Sequence, residues 1–123
     1  MGKQADDIIA AEGKWGRIVC VVRRNGSAPA EDFIKELDMF ERAEVRSLFQ
    51  KMADEGKIFN KQQFRHLAGK IYEFKRHQVR FGCFQMGHTW VLTHGFIKKQ
   101  PKCPRTEIER AERIMKEHLS RKR

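Results

Sequence analysis

Residues 70–96 most narrow the folds open to this chain. Three strand-like runs, "KIYEFKR", "VRFGCFQ" and "TWVLTHGF", follow one another almost without interruption. Each is rich in aromatic and β-branched residues, and only His77-Gln78 and Met86-Gly87-His88 separate them. Separators that short leave no room for a crossover, so the runs pair as antiparallel hairpins in a meander. If His77 and Gln78 form a two-residue turn, Arg76 opposes Val79, Lys75 opposes Arg80 and Phe74 opposes Phe81. Side chains alternate along a strand and opposed residues share a side. Tyr72, Phe74, Phe81 and Cys83 therefore face the core, while Glu73, Lys75 and Arg80 share the other face. A one-residue slip would exchange the two faces. In the simplest register of the second hairpin His94 opposes Phe81, on the core side.

The flanking segments supply a further strand and the helices. "RIVCVVR", residues 17–23, is a short apolar strand broken by "RNGS". Ser27 is placed to cap a helix start ahead of Pro29, with Glu31 and Asp32 near its positive end. Phe33, Ile34 and Leu37 form one apolar stripe; after a bend near Asp38, Val45, Leu48, Phe49 and Met52 form a second, which Gly56 stops. Thr106-Glu-Ile-Glu109 reads as a capping box for a last helix that turns Ile108, Ala111, Met115 and Leu119 inward. Residues 1–14 lack a clean period and read as a mobile tail or a short added helix. The expected order is β-α-α-β-β-β-α, with the helices packed on the face opposite the polar one. At 123 residues the chain fits one α+β domain, spanning 15–123.

Charge is distributed along the chain in blocks. Residues 57–105 carry 11 Lys and Arg against a single carboxylate, Glu73, and account for the whole net charge of +10. A solvated surface normally mixes its signs, so a nearly pure basic segment points to a polyanionic partner, nucleic acid before acidic protein or membrane surface. Apolar residues make up 40% and charged residues 34%, and no run approaches the roughly 18 apolar residues of a membrane span. The opening residues lack the apolar core of a secretory signal, which points to the cytoplasm. Cys20, Cys83 and Cys103 are odd in number and far apart, so free thiols are expected. The five histidines form no His-Glu-x-x-His and no ligand cluster with cysteine, so neither a metal site nor a cofactor is expected.

Two longer stretches resemble a known family. "LAGKIYEFKRHQVRFGCF", residues 67–84, followed by "WVLTHGFIKKQPKCPRTEIERAERI", residues 90–114, is similar to the phage-derived, HigB-type branch of the RelE/HigB toxin superfamily. "RRNGSAPAEDFIKEL" and "DEGK" also fit, so the resemblance covers about residues 15–117. It implies a RelE-like fold, a small twisted antiparallel sheet with two N-terminal helices on one face, a C-terminal helix, and an RNA groove on the other face. It implies an endoribonuclease, an mRNA interferase of a type II toxin–antitoxin system, cutting messenger RNA in the ribosomal A site without a metal ion. The implied partner is a helix-turn-helix, HigA-like antitoxin, through which alone operator DNA would be bound. Two departures stand out. Many relatives carry Glu-Leu-Arg where this chain has Glu73-Phe74-Lys75, which keeps the charge but loses the planar fork. Gln100-Pro101 after Lys98-Lys99 also re-aims the loop.

Metal-free cleavage needs the 2′-OH deprotonated, the phosphorane stabilised and the 5′-oxygen protonated. Arg80 can hold two phosphate oxygens and matches the arginine after the first hairpin turn in the superfamily; as an edge residue it would instead be solvated or pair with Glu73. Lys75 beside it becomes a base if cations crowd it and lower its pKa. Lys98, nearest the sheet, completes the catalytic candidates together with His94, whose core-side register also suits a structural histidine. Arg76, His77, Lys99 and Lys102 are candidate RNA contacts. Trp90, Phe84 and Tyr72 suit either the core or stacking on bases. The competing class is a non-catalytic RNA- or ribosome-binding module of the same fold.

Overall fold

The computed structural model describes residues 6–121. Residues 1–5 of the expected tail and the last two residues of the closing Arg-Lys-Arg run lie outside them. The elements run β1 (Ile8–Glu12), β2 (Arg17–Cys20), α1 (Pro29–Glu36), α2 (Met39–Glu55), β3 (Phe64–Ala68), β4 (Ile71–Arg76), β5 (Val79–Met86), β6 (Thr89–Ile97) and α3 (Arg105–Arg121). The fold is α+β, with one six-stranded sheet ordered β1-β2-β6-β5-β4-β3.

The β4-β5 and β5-β6 hairpins form the expected meander, and β4 pairs with β5 in the expected register, Lys75 opposite Arg80 and Phe74 opposite Phe81. The sheet differs from expectation in three ways. It is mixed, because β2 runs parallel to β6 after the chain crosses over through both helices. It gains β3, which pairs with β4 at the far edge. It also gains β1 inside the segment expected as a tail or helix. A bulge between Ile9 and Ala11 breaks the alternation there, which is why no period is readable. Asp7 ties this edge down, accepting from the Val22 N–H at 3.0 Å and lying 2.7 Å from Nε2 of His118.

The two faces are covered by different helices. Under α1 and α2, Phe49 meets Phe74 and Phe81 edge-on at centroid separations of 5.1 and 5.2 Å. On the opposite face α3 buries Ala111, Ile114 and Met115 against Val19, Ile71, Phe84 and Val91. The last helix therefore shares the polar face rather than avoiding it, since its apolar stripe is matched by apolar residues at one end of that face. Asp38 caps α2 by accepting from the Glu41 N–H at 2.8 Å, and Gly56 ends it at φ 80°, a left-handed turn that glycine adopts without a Cβ clash. Ser27 does not cap α1, whose N-cap is Ala28. Thr106 does not cap α3 either: the first turn bonds to the Pro104 carbonyl, one residue before the helix opens at Arg105. No helix among the described residues is long and apolar enough to cross a membrane.

One irregularity decides where His94 goes. The β5-β6 pairing runs cleanly from Met86↔Thr89 to Cys83↔Leu92, then skips Thr93 and resumes at Gly82↔His94. The extra residue moves His94 from opposite Phe81 to opposite Gly82, and so from the α1-α2 face to the α3 face. Gly82 makes this possible, because a Cβ there would lie 2.8 Å from Thr93 Oγ1 and 3.3 Å from Ala111 Cβ.

Candidate functional site

On the half of the α3 face beyond the helix, the strand registers line up Arg65 on β3, Glu73 and Lys75 on β4, and Arg80 on β5. Glu73 is fully buried there. Its Oε2 accepts from Arg65 Nε at 2.6 Å and its Oε1 lies 3.9 Å from Arg80 Nε. The sole carboxylate of the basic segment thus sits between two guanidiniums, which is what lets so many cations share one surface.

Arg80 is 6% exposed and held by the hairpin it follows. Its Nη1 donates to the carbonyls of Val79, at 3.0 Å, and His77. Nη2 has no hydrogen-bond partner among the described residues, and Nε is buried without one. Lys98 is 8% exposed, and its backbone N–H donates to the Gln78 carbonyl at 2.8 Å, pinning the loop after β6 to the turn before Arg80. Arg80, Lys98, Lys99, Gln78, Gln100 and Pro101 line an open pit of about 340 Å³. Lys75 donates from Nζ to the Lys61 carbonyl at 3.2 Å. Partial burial first, then Arg65, Arg80 and Lys98, hold its amine below the usual lysine pKa against the opposing pull of Glu73. The neutral amine is therefore reached at lower pH than for a free lysine.

Lys75, Arg80 and Lys98 thus come together, with Lys99 on the same pit and Lys102 exposed further along the loop. Arg76 and His77 do not join them. Alternation turns Arg76 toward α2, where it donates to Glu44 at 2.6 Å, and His77 Nε2 lies 3.3 Å from the same carboxylate. His77 occupies the left-handed region at φ 54° in the turn. Both candidate RNA contacts therefore stand on the α2 side of the turn, away from the pit, with the His77 side chain still largely exposed.

His94 shares the cations' face but is 1% exposed. Its Nε2 lies 2.9 Å from Glu107 on α3, its Nδ1 lies 3.1 Å from Thr93 Oγ1, and its ring stacks on Phe96. Burial pushes its pKa below the usual imidazole value, outweighing the hydrogen bond to Glu107. It links the sheet to α3, with both ring nitrogens engaged. Trp90 packs in the core under the first two helices and Phe84 under α3, so neither is free to stack in the pit.

Arg65 and Glu107 went unread in the sequence. Arg65 lies on an edge strand with no clean alternation, and its signal was indirect: a lone carboxylate in a basic segment needs cationic neighbours. Among the described residues no three His, Cys, Asp or Glu side chains group closely enough to hold a metal ion.

The family described as "Phage derived protein Gp49-like (DUF891)" matches residues 32–116, from within α1 to within α3, a span that contains the whole pit. No curated protein matches the chain.

Proposed function

We propose, because this chain belongs to the Gp49-like phage-derived family associated with toxin–antitoxin toxins, that it is an RNA-cleaving toxin working without a metal ion. The observation that carries the reading is the convergence of Lys75, Arg80 and Lys98 on one face beside an open pit. Arg80 Nη2 and Lys98 Nζ hold the non-bridging oxygens of a phosphodiester and stabilise the charge that develops on phosphorus. Lys75, with its depressed pKa, takes the proton of the neighbouring 2′-OH as that oxygen attacks phosphorus. The bond to the 5′-oxygen breaks, that oxygen takes a proton from the Lys75 ammonium or water, and the products are a 2′,3′-cyclic phosphate and a 5′-OH end. Arg65 and Glu73 position Arg80, while His94 and Glu107 fix where the Lys98 loop leaves the sheet.

The natural substrate in this reading is messenger RNA in the ribosomal A site, in the manner of the RelE/HigB superfamily. Toxins of the family have an antitoxin partner, here a HigA-like helix-turn-helix protein that alone carries operator recognition. Induction of the wild type should arrest growth and generate new 5′-OH messenger ends, and Arg80→Ala should do neither. Arrest with new ends from both proteins rules out the role given to Arg80.

A second reading, a non-catalytic RNA- or ribosome-binding module, is favoured by one observation: the imidazole of His94 is buried with both nitrogens engaged, leaving the pit cations but no histidine. Growth arrest without new messenger ends from the wild type would select it.

A further inference from the structure

A separate cavity of about 660 Å³ opens on the α2 side of β3 and β4, where α2 ends. Phe59, Phe64, Tyr72 and Trp90 give it aromatic walls. Phe64 and Tyr72 stack with planes 6° apart, and Trp90 meets both rings edge-on at 5.0 and 5.3 Å. Trp90 is 5% exposed, and its indole N–H has no acceptor among the described residues. A buried donor in that condition is destabilising unless something outside the protein accepts from it. Phe59 is 84% exposed, with the Lys57 ammonium 5.5 Å from its ring centroid. Lys57, Lys61 and Arg65 border the cavity and no carboxylate does.

The cavity shares no lining residue with the pit, and Lys75 and Glu73 link the two. Lys75 donates its backbone N–H to the Gln63 carbonyl at 2.8 Å and its ammonium to the Lys61 carbonyl, so the segment walling the cavity is strapped to a candidate catalytic residue. Arg65 borders the cavity while its guanidinium bonds Glu73 under the pit. To reach the cavity from the pit a strand has to pass Lys75 and round the β3 edge of the sheet, because the two openings lie on opposite faces.

We infer that the cavity is a nucleobase subsite, taking one unpaired base of the RNA strand whose phosphate lies in the pit. The base stacks on the exposed Phe59 ring at the mouth, the Trp90 N–H donates to a base oxygen or ring nitrogen, and Lys57 and Lys61 meet the flanking phosphates. Flat ring walls combined with a purely cationic rim suit RNA better than a peptide, because every nucleotide brings a planar base and a negative phosphate together. This inference rests on the RNA-cleaving reading above, and its test separates the two.

The probe is a labelled 2′-O-methyl RNA hexanucleotide, which cannot be cut by 2′-OH attack, bound to the full-length protein and followed by anisotropy. Cleavage of unmodified RNA is measured in parallel. Phe59→Ala, at an exposed position that burdens folding little, should weaken hexanucleotide binding about tenfold. Lys57→Gln with Lys61→Gln should weaken it and flatten its salt dependence. Trp90→Phe, which keeps the ring and removes the N–H, should change the preference among bases, with circular dichroism confirming the fold. Wild-type affinity in Phe59→Ala and in the double lysine variant overturns the inference even if cleavage is normal, as does absence of hexanucleotide binding by the wild type. If Phe59→Ala instead weakens only antitoxin binding, the cavity docks protein and the inference falls. Phe59-dependent binding without any cleavage of unmodified RNA leaves the subsite standing and removes the nuclease.

Discussion

The two faces of one sheet bury opposite kinds of residue. Under α1 and α2, Phe49, Phe74 and Phe81 are at most 1% exposed and touch edge to face. On the other face, beyond α3, Glu73, Arg80, His94 and Lys98 are buried almost as deeply. Burying apolar surface contributes about 25 cal/mol per Å², whereas a buried charge costs free energy unless it is paired and hydrogen-bonded. The difference teaches a division of labour. The aromatic face holds the sheet together, and the charged face is only partly compensated: Glu73 pairs with Arg65 and Arg80, two turn carbonyls accept from Arg80 Nη1, and Arg80 Nε stays without a hydrogen-bond partner among the described residues.

That division can be broken at graded points. Phe81→Ala should cost about 3–5 kcal/mol in denaturant unfolding, because it opens a cavity where two phenylalanines and α1 meet. A loss below about 1 kcal/mol would mean that the aromatic face is not the stabilising one. Glu73→Gln preserves shape but leaves Arg65 and Arg80 without their carboxylate, and should cost about 3 kcal/mol. Glu73 raises the Lys75 pKa, so the same variant should move the rising limb of the pH–rate profile to lower pH; an unmoved limb would remove Lys75 as the titrating base. Gly82→Ala should cost about 1–3 kcal/mol, since its Cβ has to displace Thr93 Oγ1 and press on α3; a neutral result would contradict the bulge.

The smallest effect should come from pH. The folded-state pKa of His94 is depressed, so the unfolded chain binds its proton more readily. The contribution of the neutral ring is present above the ordinary imidazole value of 6.5 and is lost as pH falls below it. Wild-type melting temperature should drop more than that of His94→Gln between pH 7 and pH 5.5; parallel curves would show that His94 is not held neutral.

What the sequence disclosed of all this followed the regularity of each segment. The β4-β5 register was readable because a two-residue turn and strict alternation fix it together, and it placed Lys75 and Arg80 side by side. The β5-β6 register was not, because Thr93 is an ordinary strand residue and nothing near it announces a skipped partner; only Gly82, opposite the bulge, carried a trace. Both edge strands escaped notice because bulges interrupt their alternation, and with β3 went Arg65. The placement of α3 on the charged face was missed because Ile71, Phe84 and Val91 are scattered over three strands, and only the assembled sheet makes them one apolar patch.

The central claim, that the charged face performs phosphodiester cleavage, is tested most directly by single-turnover cutting of a defined RNA by purified wild type and Arg80→Lys at equal folded fractions. Lysine keeps the charge but cannot donate to the turn carbonyls and to phosphate at once, so the account predicts 2′,3′-cyclic phosphate and 5′-OH products from the wild type and a rate about 100-fold lower in the variant. Equal rates, or intact RNA with the wild type both free and on ribosomes, would contradict it.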